Sequence, residues 1–167
     1  GAAAVASTNL EIITGATNHN THHPMVTASY ATTMRRLTGG RFVLGIGRGI
    51  APMFDAYGIP RITTAQMEDF AGLMRRLWHG ETIIGHDGPA GKYPVLRLDP
   101  TFDEDIELGL VAFGPNSLKL GGRAFDDGGE GPDQRVQPAP ADPRLLLAQP
   151  CPDGLADLAA HLGDEGQ

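Results

Sequence analysis

The chain has a single cysteine, Cys151, in 167 residues. An intramolecular disulfide framework is therefore excluded, and a reducing cytoplasm is the default compartment. Cations are also in short supply: the formal net charge is -7, which argues against a nucleic-acid or membrane-surface role, because both need clustered positive charge. No apolar run approaches the roughly 20 residues of a membrane span, and the Ala-rich start lacks the basic flank of a signal peptide. An initiator Met is missing as well, so a chain that opens Gly-Ala-Ala-Ala reads as an excerpt of something longer.

The acidity is unevenly placed. Residues 1–127 carry 13 acids and 11 bases (-2), and residues 128–167 carry 7 acids and 2 bases (-5). The second segment holds 6 of the 13 prolines and 6 of the 23 glycines, and no strand pattern. It reads as a disordered, low-complexity tail after one domain of residues 1–127.

Within that domain the pattern alternates. Ala2 to Ala6 suits the last turns of a helix. Leu10 to Ile13 is a short apolar run ending at Thr14-Gly15, followed by a polar loop through His23. Pro24 suits the first position of a helix; the helix runs to about Leu37, with Val26, Tyr30, Thr33, Met34 and Leu37 as its apolar stripe, and stops at Gly39-Gly40. Phe42 to Ile46 reads as a strand buried on both faces. A loop with Pro52, Gly58 and Pro60 follows. Thr63 and Gln66 form a capping box for a second helix, whose core stripe is Met67, Phe70, Met74, Leu77 and Trp78. Glu81 to Leu98 reads as a hairpin around Asp87-Gly88 and Gly91, Ile106 to Phe113 as a third buried strand, and Asn116 to Ala124 as a short helix. Such alternation implies parallel strands in an α/β fold, with the three Gly-bearing loops at one end of the sheet, where ligands bind.

The stretch Gly39 to Ile50 carries the most chemical information. Glycines at 45, 47 and 49, with Arg48 between the last two, read in one of two ways: a strand end whose bare backbone faces a phosphate-bearing cofactor, or a tight turn after a core strand. The dinucleotide fingerprint is not met, because position 50 is Ile and no helix follows directly. His19, His22 and His23 lack a nearby Cys or acid for a metal site, and no metal is expected; His19 and His22 are the only candidates for proton transfer. The acidic run Asp103, Glu104, Asp105 and Glu107 reads as a solvated loop, and the pairs Arg35-Arg36 and Arg75-Arg76 as solvated helix faces. Cys151 has no visible base partner.

Three separated motifs, Thr14-Gly-Ala-Thr-Asn18 with His23-Pro24, Leu37-Thr-Gly-Gly-Arg-Phe-Val-Leu-Gly-Ile-Gly-Arg-Gly49, and Leu110-Val-Ala-Phe-Gly-Pro-Asn116, together with Leu77-Trp-His-Gly-Glu81, resemble the luciferase-like monooxygenase superfamily. Within it the similarity is to the branch of coenzyme F420-dependent oxidoreductases. The resemblance covers residues 1–127 and implies a partial (β/α)8 TIM barrel of about three strands. It also implies a deazaflavin (coenzyme F420) or, alternatively, FMN at the strand ends, and hydride transfer to or from a small organic substrate. By position it implies that Thr14, Gly15, Thr17 and Asn18 border the ring, with a bulge and a non-prolyl cis peptide near Gly15 to Thr17. Gly47, Arg48, Gly49 and Ile50 would take the cofactor-tail positions. Arg48 departs from the small hydroxyl residue common in one branch, and Ile50 from its acidic neighbour. A family barrel needs eight strands, and the first two, which usually bring the general acid or base, have no counterpart here. Two further expectations follow: the tail is a frameshift product, and, as the alternative to an oxidoreductase fragment, the chain is a catalytically inactive truncated product whose open sheet edges lead to poor solubility or self-association.

Overall fold

A computed structural model describes residues 1–112 and 114–125; the expectations for Phe113, Cys151 and the tail lie outside these residues. Five helices and five strands alternate in the order α1 (Ala2–Ala6), β1 (Ile12–Ile13), α2 (Pro24–Leu37), β2 (Phe42–Ile46), α3 (Ala51–Ala56), α4 (Thr64–Trp78), β3 (Ile83–Gly88), β4 (Gly91–Leu96), β5 (Glu107–Leu110) and α5 (Pro115–Ala124), with a 3-10 turn at His19–Thr21. β1, β2 and β5 form one parallel sheet in that order, and β3 and β4 form a separate antiparallel hairpin. The strand–helix alternation with an all-parallel sheet is that of part of a (β/α)8 barrel, as the sequence implied.

Register fixes which loops meet. Ile12 and Ile13 pair with Phe42 and Val43, and Val43 to Ile46 pair with Glu107 to Leu110. Thr17 adds an isolated parallel bridge to Ile46. The loops after β1, β2 and β5 therefore leave the sheet at the same end. β2, the middle strand, is buried along its whole length, which is why its sequence is a continuous apolar run rather than an alternating one.

α4 is held by the expected capping box, with Thr63 and Gln66 exchanging side-chain bonds to each other's backbone N–H groups. Its stripe Met67, Phe70, Met74, Leu77 and Trp78 is buried as the spacing predicts. α2 is different. Val26, Tyr30 and Leu37 are 56%, 41% and 49% exposed, and Thr33 is exposed too; of the expected stripe only Met34 faces the core. The buried face consists of Thr27, Ala28, Ala31, Thr32 and Met34. The reason is steric. Trp78 lies fully buried with its indole N–H donating to the Ala28 carbonyl at 3.2 Å, and that close approach favours small residues on α2 beside the indole, at Thr27, Ala28, Ala31 and Thr32.

Two further differences are local. Residues 51–56 form a helical turn and a half, where Pro52 and Gly58 suggest a loop; a proline in the first turn is compatible with a helix because its missing N–H would be unpaired there. The charged pairs are more engaged than solvated faces would be: Arg36 bonds Glu104 at 2.6 Å and lies 4.6 Å from the Phe102 ring centroid, and Arg76 bonds both oxygens of Glu81. Both pairs are exposed to water and salt, so each adds little to stability. No helix among the described residues is long and apolar enough to cross a membrane.

Candidate functional site

β1 is only two residues long because the chain bulges as soon as it leaves Ile13. The peptide bond between Gly15 and Ala16 is cis, within the span where the family resemblance places one. Thr14 replaces the interrupted ladder with its side chain. Its hydroxyl donates to the Gly45 carbonyl at 2.9 Å and accepts the Gly45 N–H at 2.9 Å, and the Thr17 hydroxyl donates to it at 3.1 Å. Pairing resumes at Thr17, whose N–H donates to Gly45 O at 2.7 Å and whose carbonyl accepts the Gly47 N–H at 3.1 Å. Asn18 completes the join, its side-chain amide donating to Gly47 O at 2.9 Å.

This bulge explains the glycines of β2. A Cβ on Gly45 would run into the Thr14 carbonyl oxygen, and one on Gly47 would lie 2.7 Å from the Ala16 Cβ. Gly49 has φ +69°, and a Cβ there would meet the Phe54 ring at 2.5 Å. The space a side chain would need is thus taken by the β1 bulge and by α3, which seats the two loops against each other. At this rim Gly15, Ala16, Gly49 and Ile50 are exposed, Thr14, Thr17, Asn18 and Arg48 are half-buried, and Gly47 is buried with its N–H and carbonyl bonded to Thr17 and Asn18.

Arg48 crosses from the β2 loop to α4, where its Nη2 donates to the Thr64 hydroxyl, while its Nε is buried without a partner. It makes no ion pair among the described residues. Its guanidinium therefore sits beside the first residue of α4, the positive end of a 15-residue helix, with no acid to balance either charge. That combination suits an anion. A phosphate-bearing cofactor fits here: the cation is present, and its Nε–H has an unfilled bond.

The histidines separate. His22 is exposed and its Nδ1 lies 2.9 Å from the Thr21 hydroxyl. His23 caps α2 by accepting the Met25 N–H at 3.3 Å. His19 is buried, packed at 5.4 Å against the Phe70 ring, with Nδ1 unpartnered. Burial lowers its pKa, and the nearby Asp69 carboxylate opposes that only in part, so the ring is held neutral. Neighbouring Asn20 donates to the Pro60 carbonyl at 2.6 Å. No group of three or more His, Cys, Asp or Glu able to hold a metal occurs among the described residues.

A cluster that motif reading does not pick out lies beside this rim. Asp69 of α4 accepts bonds from His86 Nε2 at 3.0 Å and the Ala90 N–H at 2.9 Å, tying the hairpin tip to the helix. Tyr93 stacks on His86 at 5.9 Å, meets His23 edge-on at 5.3 Å, and donates its hydroxyl to Ala90 O. Burial raises the Tyr93 pKa, and Asp69 adds to the effect. His23, Asp69 and the hairpin residues His86 to Tyr93 come from three separate elements of the sequence, so only the packed hairpin brings them together.

The family described as "Luciferase-like monooxygenase" matches residues 1–126. A 5,10-methylenetetrahydromethanopterin reductase of Methanopyrus kandleri is 40% identical over 140 residues, covering 74% of this chain and 40% of the relative. The solved coenzyme F420-dependent tetrahydromethanopterin reductase from Methanopyrus kandleri superposes with TM-score 0.62 and 25% identity, over 74% of this chain and 40% of that one. An F420-dependent secondary alcohol dehydrogenase in complex with an F420–acetone adduct gives TM-score 0.61 and 25% identity, over 75% and 40%. The chain spans 30% to 40% of the length of the curated relatives it matches. With the family matched across three quarters of its length and the fold of F420-dependent relatives in its sheet, the chain belongs to the luciferase-like monooxygenase family.

Proposed function

We propose that the loops after β1 and β2 form the binding half of a deazaflavin site, with FMN as the alternative occupant, in an oxidoreductase that moves a hydride between that cofactor and a small organic substrate. The observation that carries this reading is Arg48. A guanidinium with a buried, unpartnered Nε, set beside the positive end of α4 and without an ion pair among the described residues, has the positive charge and the free donor that a cofactor phosphate complements. In this reading Gly47, Arg48, Gly49 and Ile50 hold the cofactor tail. Thr14, Gly15, Thr17 and Asn18 border the ring, with the Thr14–Gly45 bonds fixing the bulge that backs it. The bound cofactor supplies the hydride chemistry; the chain supplies position and charge. His19 and His22 are the residues assigned to the accompanying proton, His19 as a neutral ring and His22 as an exposed one. The single cysteine favours a cytoplasmic setting.

A second reading is a chain that binds without turnover. Among the described residues three parallel strands pair, with β1 and β5 at the edges of the sheet; a barrel has eight, and edge strands favour self-association. In that reading residues 128–167 are a non-native tail added to a partial domain of residues 1–127. Titration with F420 and, separately, FMN, followed by fluorescence and thermal melting, tests both. Saturable F420 binding with a raised melting temperature supports the first; a response to FMN alone moves the cofactor to FMN; no response to either, in a cooperatively melting chain, refutes the site.

A further inference from the structure

We infer that α3 is the specificity wall of the proposed site, and that it selects an uncharged substrate with an alkyl body lying along Ile50, Met53 and Tyr57. The inference rests on the cofactor reading above and adds the class of the second reactant. Its observation is a stripe of large apolar residues spaced by three and four and open to solvent: Ile50 is 62% exposed, Met53 36% and Tyr57 67%. Such spacing sets side chains one above the other along one side of a helix. Ile50 caps the start of α3 and Tyr57 its end, so the stripe runs the whole helix, about 10 Å.

The fold of α3 does not use this stripe. One residue docks the helix: Phe54 is buried and fills the space beside Gly49 where a Cβ would stand. Backbone closes the far end, where the Gly58 N–H donates to the Asp55 carbonyl at 3.2 Å and the Ile59 N–H to the Phe54 carbonyl at 2.8 Å. Asn20 then donates to the Pro60 carbonyl at 2.6 Å, tying this turn to the loop after β1. The wall is thus fixed against both strand-end loops in the free chain, which lowers the ordering cost of binding. Apolar surface held open to water gains free energy when a ligand covers it.

Position, charge and size name the occupant. Exposed Val26, Tyr30, Ile84 and Val95 stand on α2 and the hairpin, whereas Ile50 directly follows Gly49 at the rim, so the stripe is continuous with the proposed cofactor site. Residues 49–54 include no ionisable side chain, and the next residue, Asp55, is held by two bonds to Arg61, which lower its pKa. The wall therefore offers no free carboxylate or ammonium, and a charged ligand would give up water without gaining a partner. Arg48, the only cation among residues 14–18 and 47–50, is assigned to the phosphate. Three side chains on a six-residue helix offer far less than the roughly 1,000 Å² of a specific protein interface. A small, uncharged, largely hydrocarbon molecule fits.

Methyl NMR of the full chain, labelled at its Met and Ile methyl groups and titrated with methyl ketones from butanone to decanone, tests this with and without F420. Saturable shifts are expected at Ile50 and Met53, with affinity rising about fourfold per added methylene. Ile84, 77% exposed on the hairpin, is the internal control and is expected to stay still. Met53→Ser and Tyr57→Ser, at exposed positions, are each expected to weaken ketone binding by about tenfold, equivalent to between one and two buried methylenes. The Ile50 methyl reads that loss, and F420 binding and the circular dichroism spectrum are expected to stay unaltered. Shifts of equal size at Ile84, affinity independent of chain length, or unchanged affinity in both serine variants would overturn the inference. F420 binding without any ketone response overturns it too, and leaves the cofactor site standing. The converse, chain-length-dependent shifts at Ile50 and Met53 in a chain that binds neither F420 nor FMN, supports the wall and removes the cofactor site.

Discussion

Replacing Thr14 by Val keeps the shape of the side chain and removes one hydroxyl, and the fold places unusual weight on that oxygen. It accepts the Gly45 N–H, donates to the Gly45 carbonyl, and accepts the Thr17 hydroxyl, at 2.9, 2.9 and 3.1 Å. Gly45 is buried on the middle strand, so its N–H gains no water when the hydroxyl goes. An orphaned buried donor costs about 1–3 kcal/mol, and each remaining bond about 0.5–1.5 kcal/mol. The carbonyl still accepts the Thr17 N–H at 2.7 Å, which keeps the total in the lower half of the sum, at about 2–4 kcal/mol. With a urea slope of about 2 kcal/mol/M, mid-range for a small domain, the unfolding midpoint falls by about 1–2 M. Thr14→Ser retains the oxygen and is expected to recover most of the loss. Urea titrations of the three chains, followed by circular dichroism, decide the matter. A Thr14→Val midpoint within about 0.3 M of the parent, or a Ser variant no better than Val, would show that the hydroxyl does not replace the broken ladder.

Two further outcomes bear on the site. Arg48→Gln is expected to weaken binding of the phosphate-bearing cofactor by about 10- to 150-fold, the range of one charge-assisted bond, with Arg48→Lys recovering only part of it because an ammonium lacks the planar fork; fluorescence titration reads both. His19 gives a pH dependence. Its folded pKa lies below the ordinary imidazole value, so the unfolded chain takes up the proton first, stability is complete above about pH 6.5 and declines as the pH falls below it. His19→Leu is expected to flatten the fall in urea midpoint between about pH 6.5 and 5, and an unchanged slope would place the titration in another group.

Much of the fold is legible in the sequence because its local signals agree. The capping box at Thr63 and Gln66, the apolar stripe that follows and the terminating Gly80 all specify α4, and Pro24 and Gly39-Gly40 bound α2 in the same way. Periodicity marks a stripe without saying which side of it the core occupies. On α2 the large residues lie outside because Trp78, 50 residues away, takes the inner space beside Ala28 and favours small neighbours there. The strand-end glycines carry a similar ambiguity. Their spacing is visible in the sequence, but what fills the missing Cβ positions is set by the β1 bulge and Phe54. The Asp69–His86–Tyr93–His23 cluster leaves no motif at all, since it depends on how the hairpin tip lies against α4.

The account rests on one claim, that the ends of β1 and β2 hold a phosphate-bearing deazaflavin or flavin. Amide chemical shifts of the isotopically labelled chain during F420 addition test it most directly. The account predicts saturable shifts at Thr17, Gly47, Arg48 and Gly49, diminished in Arg48→Gln. Saturable shifts confined to other residues, or none at any of these amides for either F420 or FMN, would contradict it.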